Sequence, residues 1–578
     1  MPPQLRVHAL PRGRDAETPL RLDHDHAARS GRHALASRRR GRERQAHAVA
    51  HRPLGVEEHR PRRPPDGVRR RDRRPLGHGA RGEREVVADR RALQPGDGAP
   101  RGRRCRSELA RDPLPRPRQG RRHNSPRLRR REGRGSRDDD HVEEAFDVSG
   151  APSSVPTNGD VPPDRADVAV IGAGAAGLMA AISAGRAQPG RSARVVALDG
   201  AKTLGAKILV AGGGRCNVTH HAVDERDYAG STAPAIRKVL AAFPVARTVE
   251  FFAEFGVELK REETGKLFPT TDSARTVLDA LLRAAREAGV SLRHPWRVAS
   301  VAREGDAFRV VSAEGETILA RRVILATGGK SLPKSGSDGA GYGFATAFGH
   351  TLTSRVIPAL VPLLLPDGHP LRELSGIAVD AEVRLVSSTG KVLTKTTNAV
   401  LCTHFGLSGP AILDISRHWS LARFDDPGAK LELSFLPPTT PDALDAQMMA
   451  TSVAAPRETL ASFTRTRLPE RLMRTLAALA NVDPATTFRQ LSRDARKRLV
   501  RTLGAYVVEP TGDRGFPHAE VTAGGVPLAE VRLESMESRR MPGLFLCGEI
   551  LDVDGRIGGF NFQWAWASGW VAGRSAGA

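Results

Sequence analysis

The stretch DVAVIGAGAAGL, residues 167–178, decides the fold of this chain. It reads as a short apolar strand, a glycine loop and the start of a helix, and a second apolar strand, 194–198, follows it. This β-α-β order with GxGxxG spacing is typical of a Rossmann-type dinucleotide site, whose glycines permit a tight turn, close approach to a pyrophosphate and close helix–strand packing. The pyrophosphate is expected at the helix N-terminus, where free N–H groups and the helix dipole favour negative charge. The predicted contacts are Gly172, Gly174, Ala175, Ala176 and Gly177.

An acidic residue ends the second strand. Asp199 stands where a carboxylate can accept hydrogen bonds from a ribose diol. It lies 27 positions after Gly172, which is longer than the usual spacing, and we interpret residues 188–192 as the loop that lengthens the unit. This fingerprint alone leaves NAD and FAD open.

Further glycine clusters decide between the two cofactors. Residues 205–217 (GAKILVAGGGRCN) carry Lys207 and Arg215, and residues 323–333 run from a strand into a glycine turn. Near the C-terminus, GLFLCGE (543–549) ends a strand in an acid, and Gly558 to Asn561 start a helix. A helix N-terminus at the pyrimidine edge of a flavin stabilises the reduced, anionic ring, and an acid after a strand can bind ribityl hydroxyls. NAD has neither a ribityl chain nor a ring that becomes anionic on reduction, so the sequence favours FAD.

These segments resemble the BaiN-like or aminoacetone-oxidase family of bacterial FAD-binding proteins, within the two-dinucleotide-fold flavoproteins. The matching stretches are 167–178, 204–219, 326–345, 403–413 (THFGLSGPAIL), 520–526 (EVTAGGV) and 543–569. The resemblance runs from about residue 165 to the C-terminus, and residues 1–163 have no counterpart in it. Beyond the first glycine loop and Asp199, it implies FAD contacts at Lys207, Gly214, Arg215, Cys216, Asn217, Val298, Thr327, Gly328, Gly329, Gly548, Glu549, Asp552, Gly558, Gly559, Phe560 and Asn561.

Departures from the family pattern are mild. Asp199 stands where Glu is commoner and Phe560 where Tyr is commoner, and both keep the chemistry. Residues 337–341 differ from the expected Ser-Thr-Gly-Asp-Gly form, which leaves the contacts of that loop open.

The fold class that follows is α/β. A Rossmann-like FAD-binding domain is interrupted by an inserted β-barrel-like domain with a small helical subdomain, after a disordered Arg-rich N-terminal extension. The predicted boundaries are 1–163 for the extension, 164–352 and 524–578 for the FAD-binding domain, 353–435 and 505–523 for the β-rich domain, and 436–504 for the helical subdomain.

The extension holds most of the positive charge. Residues 1–150 contain 39 Arg, no Lys and 22 acidic residues, whereas the remaining 428 residues carry a net charge of +7. The segment has few apolar residues in any periodic pattern, so we expect it to be unfolded. One interpretation is a nucleic-acid-binding arm. The other, which we favour because the arginines are scattered without a helical face, is an inert tail or a true start that lies downstream.

Composition also excludes several classes. The N-terminus has no continuous apolar segment typical of a secretory signal, and no run of 18 apolar residues predicts a membrane helix. Cys105, Cys216, Cys402 and Cys547 lie far apart without CxxC spacing, so neither disulfides nor a metal site are predicted. We expect a cytoplasmic protein with a small-molecule substrate, without a membrane or nucleic-acid partner. The oligomeric state stays open.

Candidates for catalysis are few. His404, in a Thr-His-Phe-Gly turn, could supply a proton, although we favour a turn histidine bonded to backbone. Cys216, beside Arg215, could have a lowered thiol pKa, although a small residue packed under the cofactor fits better. Thr522 is expected to bring its N–H group near the flavin or substrate.

The predicted activity is that of an FAD-dependent oxidoreductase that moves a hydride between a small organic substrate, of the amino-ketone or enone class, and flavin N5. One GxGxxG unit is evident, so NAD(P)H is expected at most as a transient electron donor. The alternatives are a flavin-dependent RNA-modifying or RNA-binding protein, and an FAD-binding protein with a structural or interaction role.

Overall fold

The computed structural model describes residues 164–187 and 193–578. The predicted arginine-rich extension, 1–163, and the predicted loop at 188–192 lie outside the described residues.

The first part of the chain builds most of the cofactor-binding fold. Its strands are β1 Asp164–Ile171, β2 Val195–Leu198, β3 Thr219–His220, β4 Tyr228–Gly230, β5 Leu259–Arg261, β6 Lys266–Pro269, β7 Ser291–Arg293, β8 Val298–Glu304, β9 Ala307–Ser312 and β10 Thr317–Leu325. Its helices are α1 Ala175–Gly185, α2 Ala206–Gly214, α3 Ala233–Ala242, α4 Val245–Glu254, α5 Ala274–Glu287 and α6 Ala340–Ala347.

The middle part has most of its strands before residue 435 and most of its helices after it. Its strands are β11 Ile357–Ala359, β12 Leu363–Leu364, β13 Ala378–Val386, β14 Val392–Thr403, β15 Gly406–Ser408, β16 Lys430–Ser434, β17 Tyr506–Val508, β18 Gly512–Asp513 and β19 Val521–Ala523. Its helices are α7 Pro410–Asp425, α8 Pro441–Ala454, α9 Leu460–Thr464, α10 Glu470–Leu479 and α11 Arg493–Gly504. The chain then returns to the first fold through β20 Val531–Arg532, β21 Glu537–Ser538, β22 Leu544–Leu546, β23 Val553–Gly555 and α12 Phe560–Gly577.

The main sheet has the order β20-β21-β22-β10-β1-β2-β7, with the β8–β9 hairpin attached to β10. From β22 to β7 all pairs are parallel. Val168 to Ile171 of β1 are all buried, as expected for a parallel strand covered on both faces. In such sheets the ligand lies beyond the carboxyl ends of the strands. The predicted Rossmann-type unit is therefore confirmed.

A seam of small residues joins the first and last helices. Gly569, Gly573 and Gly577 on α12 face Ala176, Ala180 and Ala184 on α1. A Cβ atom at Gly573 would lie only 2.0 Å from the Ala180 carbonyl oxygen. The two helices thus approach closely because glycine leaves room for the neighbouring backbone, and α12 fixes the position of α1 and of the glycine loop before it.

The middle part has a core of its own, formed by β12–β17 together with α7–α11. Its antiparallel sheet runs β17-β16-β13-β14-β15-β12-β18. Among the described residues no pairing joins β17 to β18, so the barrel-like form of this insertion and the predicted domain boundaries stay predictions.

Serine residues precede two of the helices. The Ser492 hydroxyl caps α11 by accepting a hydrogen bond from the Ala495 N–H group. Helix α5 follows Ser273, whose side chain makes no capping hydrogen bond.

Candidate functional site

A cleft of about 710 Å³ opens at the carboxyl edge of the main sheet. It is lined by the loops after β1, β2 and β10, by α2, and by the segments that precede β19 and α12. Its volume is within the range of small-molecule and cofactor sites.

The carboxylate at the end of β2 is held in place by backbone groups. Asp199 Oδ2 accepts from the Ala173 N–H group and Oδ1 from the Ala201 N–H group, both at 2.8 Å. Each oxygen keeps a free lone pair toward the cleft, which suits a ribose diol. The Asp199 carbonyl also accepts a hydrogen bond from the Trp296 N–H group, so the predicted ribose position is rigid.

Three buried polar atoms at the cleft show that it is built for a polar ligand. Asn217 Oδ1, Thr327 Oγ1 and Ser337 Oγ have no hydrogen-bond partner among the described residues, and all three residues line the cleft. An unsatisfied buried polar atom costs about 1–3 kcal/mol. A nucleotide cofactor rich in hydroxyl and phosphate oxygens would satisfy them, so the residues present fit a dinucleotide.

A charged network crosses the floor of the cleft. Lys207 Nζ lies 2.6 Å from Glu549 Oε2 and 2.8 Å from Ser331 Oγ, which in turn donates to Glu549 Oε1 at 2.7 Å. The Thr522 N–H group also donates to Glu549 Oε1, at 3.0 Å. It therefore points at Glu549, whereas the sequence predicted that it would face the flavin or substrate. The network locks α2, the turn after β10 and the loop after β22 to one another.

The N-terminus of α12 faces the same cleft. Gly558, Gly559 and Asn561 line it, and the Asn561 amide closes the preceding loop through two 2.8 Å hydrogen bonds with the backbone of Gly555. The 18-residue helix that follows directs its positive dipole end into the cleft. This is the arrangement predicted for stabilising a reduced flavin.

Most residues that the sequence assigned to the cofactor come together here. Gly172, Gly174, Ala175, Ala176, Asp199, Lys207, Arg215, Asn217, Val298, Thr327, Gly328, Gly548, Glu549, Gly558, Gly559 and Asn561 all line the cleft. Ser337, Asp338, Ala340 and Gly341 of the loop that departs from the family pattern also line it. Their individual contacts with FAD stay predictions.

Six of the assigned residues do not line the cleft: Gly177, Gly214, Cys216, Gly329, Asp552 and Phe560. Two of them, Gly177 and Gly329, pack closely behind residues of the lining. A Cβ atom at Gly177 would lie 1.8 Å from the Gly172 carbonyl oxygen, and one at Gly329 would lie 2.4 Å from Thr522 Oγ1. The Phe560 ring is buried and stacks on His220, with ring centroids 4.9 Å apart.

Neither catalytic candidate from the sequence reaches the cleft. Cys216 is fully buried in the main core, and burial raises its thiol pKa to about 12, the opposite of the lowered pKa that the sequence suggested. His404 is exposed on the β14–β15 turn, and its carbonyl accepts a hydrogen bond from Arg372 Nε at 2.7 Å. Trp564 and Trp566 of α12 are buried.

Sequence reasoning missed three charged residues that line the cleft, Lys266, Arg297 and Glu520. Arg297 pairs with Asp338 of the loop at 337–341. Glu520 opens the matching stretch EVTAGGV, so its place next to a family motif was a usable signal. Lys266 lies at the start of β6, outside every motif, and only the fold brings it to the cleft.

Within residues 164–187 and 193–578, no group of His, Cys, Asp and Glu side chains could hold a metal ion. In the same residues no helix is both long and apolar enough to span a membrane.

The fold and the cleft define a Rossmann-type flavoprotein, with FAD as its cofactor. The chain belongs to the HI0933-like family, whose Rossmann domain matches residues 166–575. It is 36% identical over 409 residues to the 3-dehydro-bile acid Δ(4,6)-reductase of Clostridium scindens, which covers 71% of this chain and 98% of that protein. It is 35% identical over 411 residues to the ribosomal RNA dihydrouridine synthase of Escherichia coli, at 71% and 97% coverage.

Among solved structures, the chain resembles the 3-ketosteroid-Δ4-(5α)-dehydrogenase of Rhodococcus jostii RHA1, with 17% identity and a TM-score of 0.38 over 73% of this chain and 99% of that one. The predicted BaiN-like membership is confirmed by the family and by the Clostridium relative. The protein is an FAD-dependent oxidoreductase.

Proposed function

We propose that this oxidoreductase reduces a carbon–carbon double bond conjugated to a carbonyl group in a small organic substrate. The observation that carries the proposal is the similarity, over nearly their whole length, to two relatives whose names describe the same bond change. A Δ(4,6) system beside a 3-oxo group and the 5,6 bond of uracil are both conjugated to a carbonyl carbon. The enone class therefore fits better than the amino-ketone class.

The residues of this chain bind and orient the reactants in this proposal. FAD, when bound, accepts and donates the hydride. Asp199 would hold the adenosine ribose, and the N-termini of α1 and α12 would hold the pyrophosphate and the pyrimidine edge. The contact between Lys207 Nζ and Glu549 Oε2, at 2.6 Å, fixes the floor of the cleft. NAD(P)H acts as a transient electron donor at the open face, without a nucleotide domain of its own.

We also place the protein in the cytoplasm. Cys216, Cys402 and Cys547 are all free thiols in buried positions, a state that suits a reducing compartment.

A second candidate function is the reduction of a uracil base in RNA. Paired cationic and aromatic side chains near the cleft favour it: Arg514 lies over the Phe405 ring at 4.3 Å and Lys330 over the Phe516 ring at 5.8 Å. Leu332, which lines the cleft, donates its N–H group to the Phe516 carbonyl. Aromatic and arginine planes are the groups on which single-stranded RNA bases stack.

The distribution of charge points the same way. Residues 436–504 carry 11 basic and 6 acidic side chains, and so hold most of the net charge of +7 that residues 151–578 share. A basic surface of this kind attracts a polyanion.

One experiment separates these candidates. The full-length protein is reduced anaerobically and mixed with a 3-oxo-4-ene steroid, a 3-oxo-4,6-diene bile acid or a ribosomal RNA transcript. The flavin absorbance is followed, and the products are examined by mass spectrometry. We expect rapid reoxidation with an enone that gains two hydrogens. Reoxidation by the transcript alone, with formation of dihydrouridine, would select the RNA function, and no reoxidation by any of the three would refute the proposed reaction.

A further inference from the structure

Two charged side chains at one end of the cleft have no assigned role. Glu520 comes directly before β19, and its backbone N–H group donates to the Leu360 carbonyl at 3.2 Å. Its carbonyl lies 3.4 Å from Ser331 Oγ, whose hydrogen is donated to Glu549 Oε1. Within the described part of the chain, its carboxylate makes neither a hydrogen bond nor an ion pair, and it faces the cleft.

Lys266 is the matching cation. Its Cε atom lies 3.8 Å from the position that a Cβ of Gly558 would take, so the side chain runs beside the loop that begins α12. Among residues 164–187 and 193–578, its ammonium group likewise has no hydrogen-bond or ion-pair partner, and it lines the cleft.

The other charged groups around this end are already engaged. Lys207 is bound to Glu549, and Asp414 Oδ1 accepts from the Ile557 N–H group at 2.7 Å. Arg556 pairs with Asp227 at 3.0 Å. Among the described residues at this end, Glu520 and Lys266 are thus the charged groups left free to meet a substrate, and unpaired titratable groups in a cleft are candidates for function.

The remaining lining of this end is apolar. Leu360 and Ile557 both line the cleft. Leu360 holds a φ of 50°, a left-handed backbone conformation that a residue with a branched side chain adopts only when its surroundings impose it. Apolar walls with one cation and one acid suit a flat unsaturated ring that carries a carbonyl oxygen.

We propose that Lys266 binds the substrate's carbonyl oxygen and that Glu520 donates the proton that completes the reduction of the conjugated double bond. This inference rests on the proposed function and assigns the substrate end of the same cleft.

The step balances. The β-carbon of the substrate accepts a hydride, with its two electrons, from the reduced cofactor, and the π electrons of the double bond move to the carbonyl oxygen as an enolate. The Lys266 ammonium stabilises that negative charge. The α-carbon then takes a proton from the Glu520 carboxylic acid, the carbonyl reforms, and the carboxylate regains a proton from water.

The electrostatics of Glu520 agree with a proton donor. Burial raises the pKa of its carboxyl, against the lowering effect of Lys266 and Lys207, and Asp414 adds to the rise. The side chain is accessible from the open cleft, and its raised pKa makes proton donation easier than from a carboxyl in water.

The test uses p-nitrophenol as a mimic of the enolate, together with an enone substrate. We expect the holoenzyme to bind the phenolate form, seen by its absorbance. K266M and K266Q should weaken that binding roughly tenfold or more, whereas the exposed control K202M should not. E520Q should keep flavin reduction by NAD(P)H but slow flavin reoxidation by a 3-oxo-4-ene steroid by roughly 100-fold or more. E520D should partly restore the reoxidation rate. The exposed control E263Q should leave it unchanged.

The outcomes separate the inference from the proposed function. Phenolate binding that is unchanged in both Lys266 variants would overturn the role of Lys266, and wild-type reoxidation in E520Q would overturn the role of Glu520. If Lys266 instead serves the flavin, its variants will shift the flavin reduction potential without changing phenolate affinity, which also refutes its assignment. If the wild-type protein binds phenolate through Lys266 but reduces no enone, the anion site is supported and the proposed reaction is refuted. FAD content and thermal unfolding of each variant show that it is folded.

Discussion

The seam between α1 and α12 allows a quantitative test of how the cofactor loop is held. A methyl group added at Gly573 would lie 2.0 Å from the Ala180 carbonyl oxygen, whereas a carbon and an oxygen in contact lie about 3.3 Å apart. The obstacle is helix backbone, which cannot rotate away. Gly569 and Gly577 make equally close approaches to α1 on either side, so the helices cannot pivot to relieve the collision.

We expect G573A to lower the free energy of unfolding by about 2 kcal/mol. Overpacking a dense interior costs about 1–3 kcal/mol, and the contact here is at the upper end of that range. Alanine is favoured over glycine in a helix by about 1 kcal/mol, which offsets part of the cost. Because α1 begins at Ala175, directly after the glycine loop, the variant should also release FAD more readily.

Urea unfolding of the holoenzyme, followed by tryptophan and flavin fluorescence, measures both effects. The matched control is G343A on α6, where an added methyl would meet nothing within 4 Å and should leave stability unchanged or slightly increased. If G573A unfolds at the same urea concentration as wild type and keeps its FAD, the seam does not position the loop as we argue.

Three further predictions concern the carboxylates and the buried thiol. D199A removes the acceptor of two backbone N–H groups, so FAD affinity, measured by titration of apoprotein, should fall roughly tenfold or more; unchanged affinity would show that Asp199 does not contact the ribose. Burial raises the pKa of Asp414 to about 6. The stability that this raised pKa contributes is therefore fully present below the unfolded pKa of about 3.9 and is lost as pH rises through about 6. D414N should reduce the loss of unfolding free energy between pH 4 and 7, whereas the exposed D306N should follow wild type, and an unaltered pH profile in D414N would contradict the assignment. Cys216 should resist alkylation in the native protein, and C216S should keep full flavin reduction; rapid alkylation with loss of activity would restore the reactive-thiol hypothesis.

The sequence was sufficient for those parts of the fold and site that depend on local patterns. The strand, glycine loop and acid at 167–199 appear as predicted, because close backbone packing and a bound pyrophosphate require particular residues at fixed spacings. The same holds for Gly558 and Gly559, which start α12 at the cleft. Motifs, however, mark backbone geometry as well as ligand contact. Gly177 and Gly329 belong to motifs but serve packing. A motif alone therefore does not tell which of its residues line the cleft and which pack behind it.

Lys266 and Glu520 were not assigned from the sequence for a different reason, although the family stretch that Glu520 opens was a usable signal. Each belongs to a short strand or its edge, and each reaches the cleft only because the three-stranded sheet of β3, β5 and β6 and the β11–β19 pair lie beside it. Cys216 is the reverse case, a residue that the sequence offered as a candidate and that the structure places away from the cleft. Its neighbours in sequence suggested an activated thiol, but its side chain turns into the main core, where loss of water raises its pKa.

The insertion takes part in the site through α7. In the first two turns of this helix, Asp414 holds the Ile557 N–H group at 2.7 Å, and Arg417 Nε lies 2.8 Å from Asp554 Oδ2. Both contacts grip the segment that leads into α12, and Ile557 lines the cleft. The helix begins at Pro410, within the stretch 403–413 that resembles the family. That stretch carries no residue of the cofactor site. Its turn instead begins α7 at a position from which Asp414 and Arg417 reach the segment that leads into α12. The insertion therefore sets the backbone at the end of the cleft where we propose that the substrate binds. Substitutions in the insertion should alter substrate binding and turnover before they alter FAD binding.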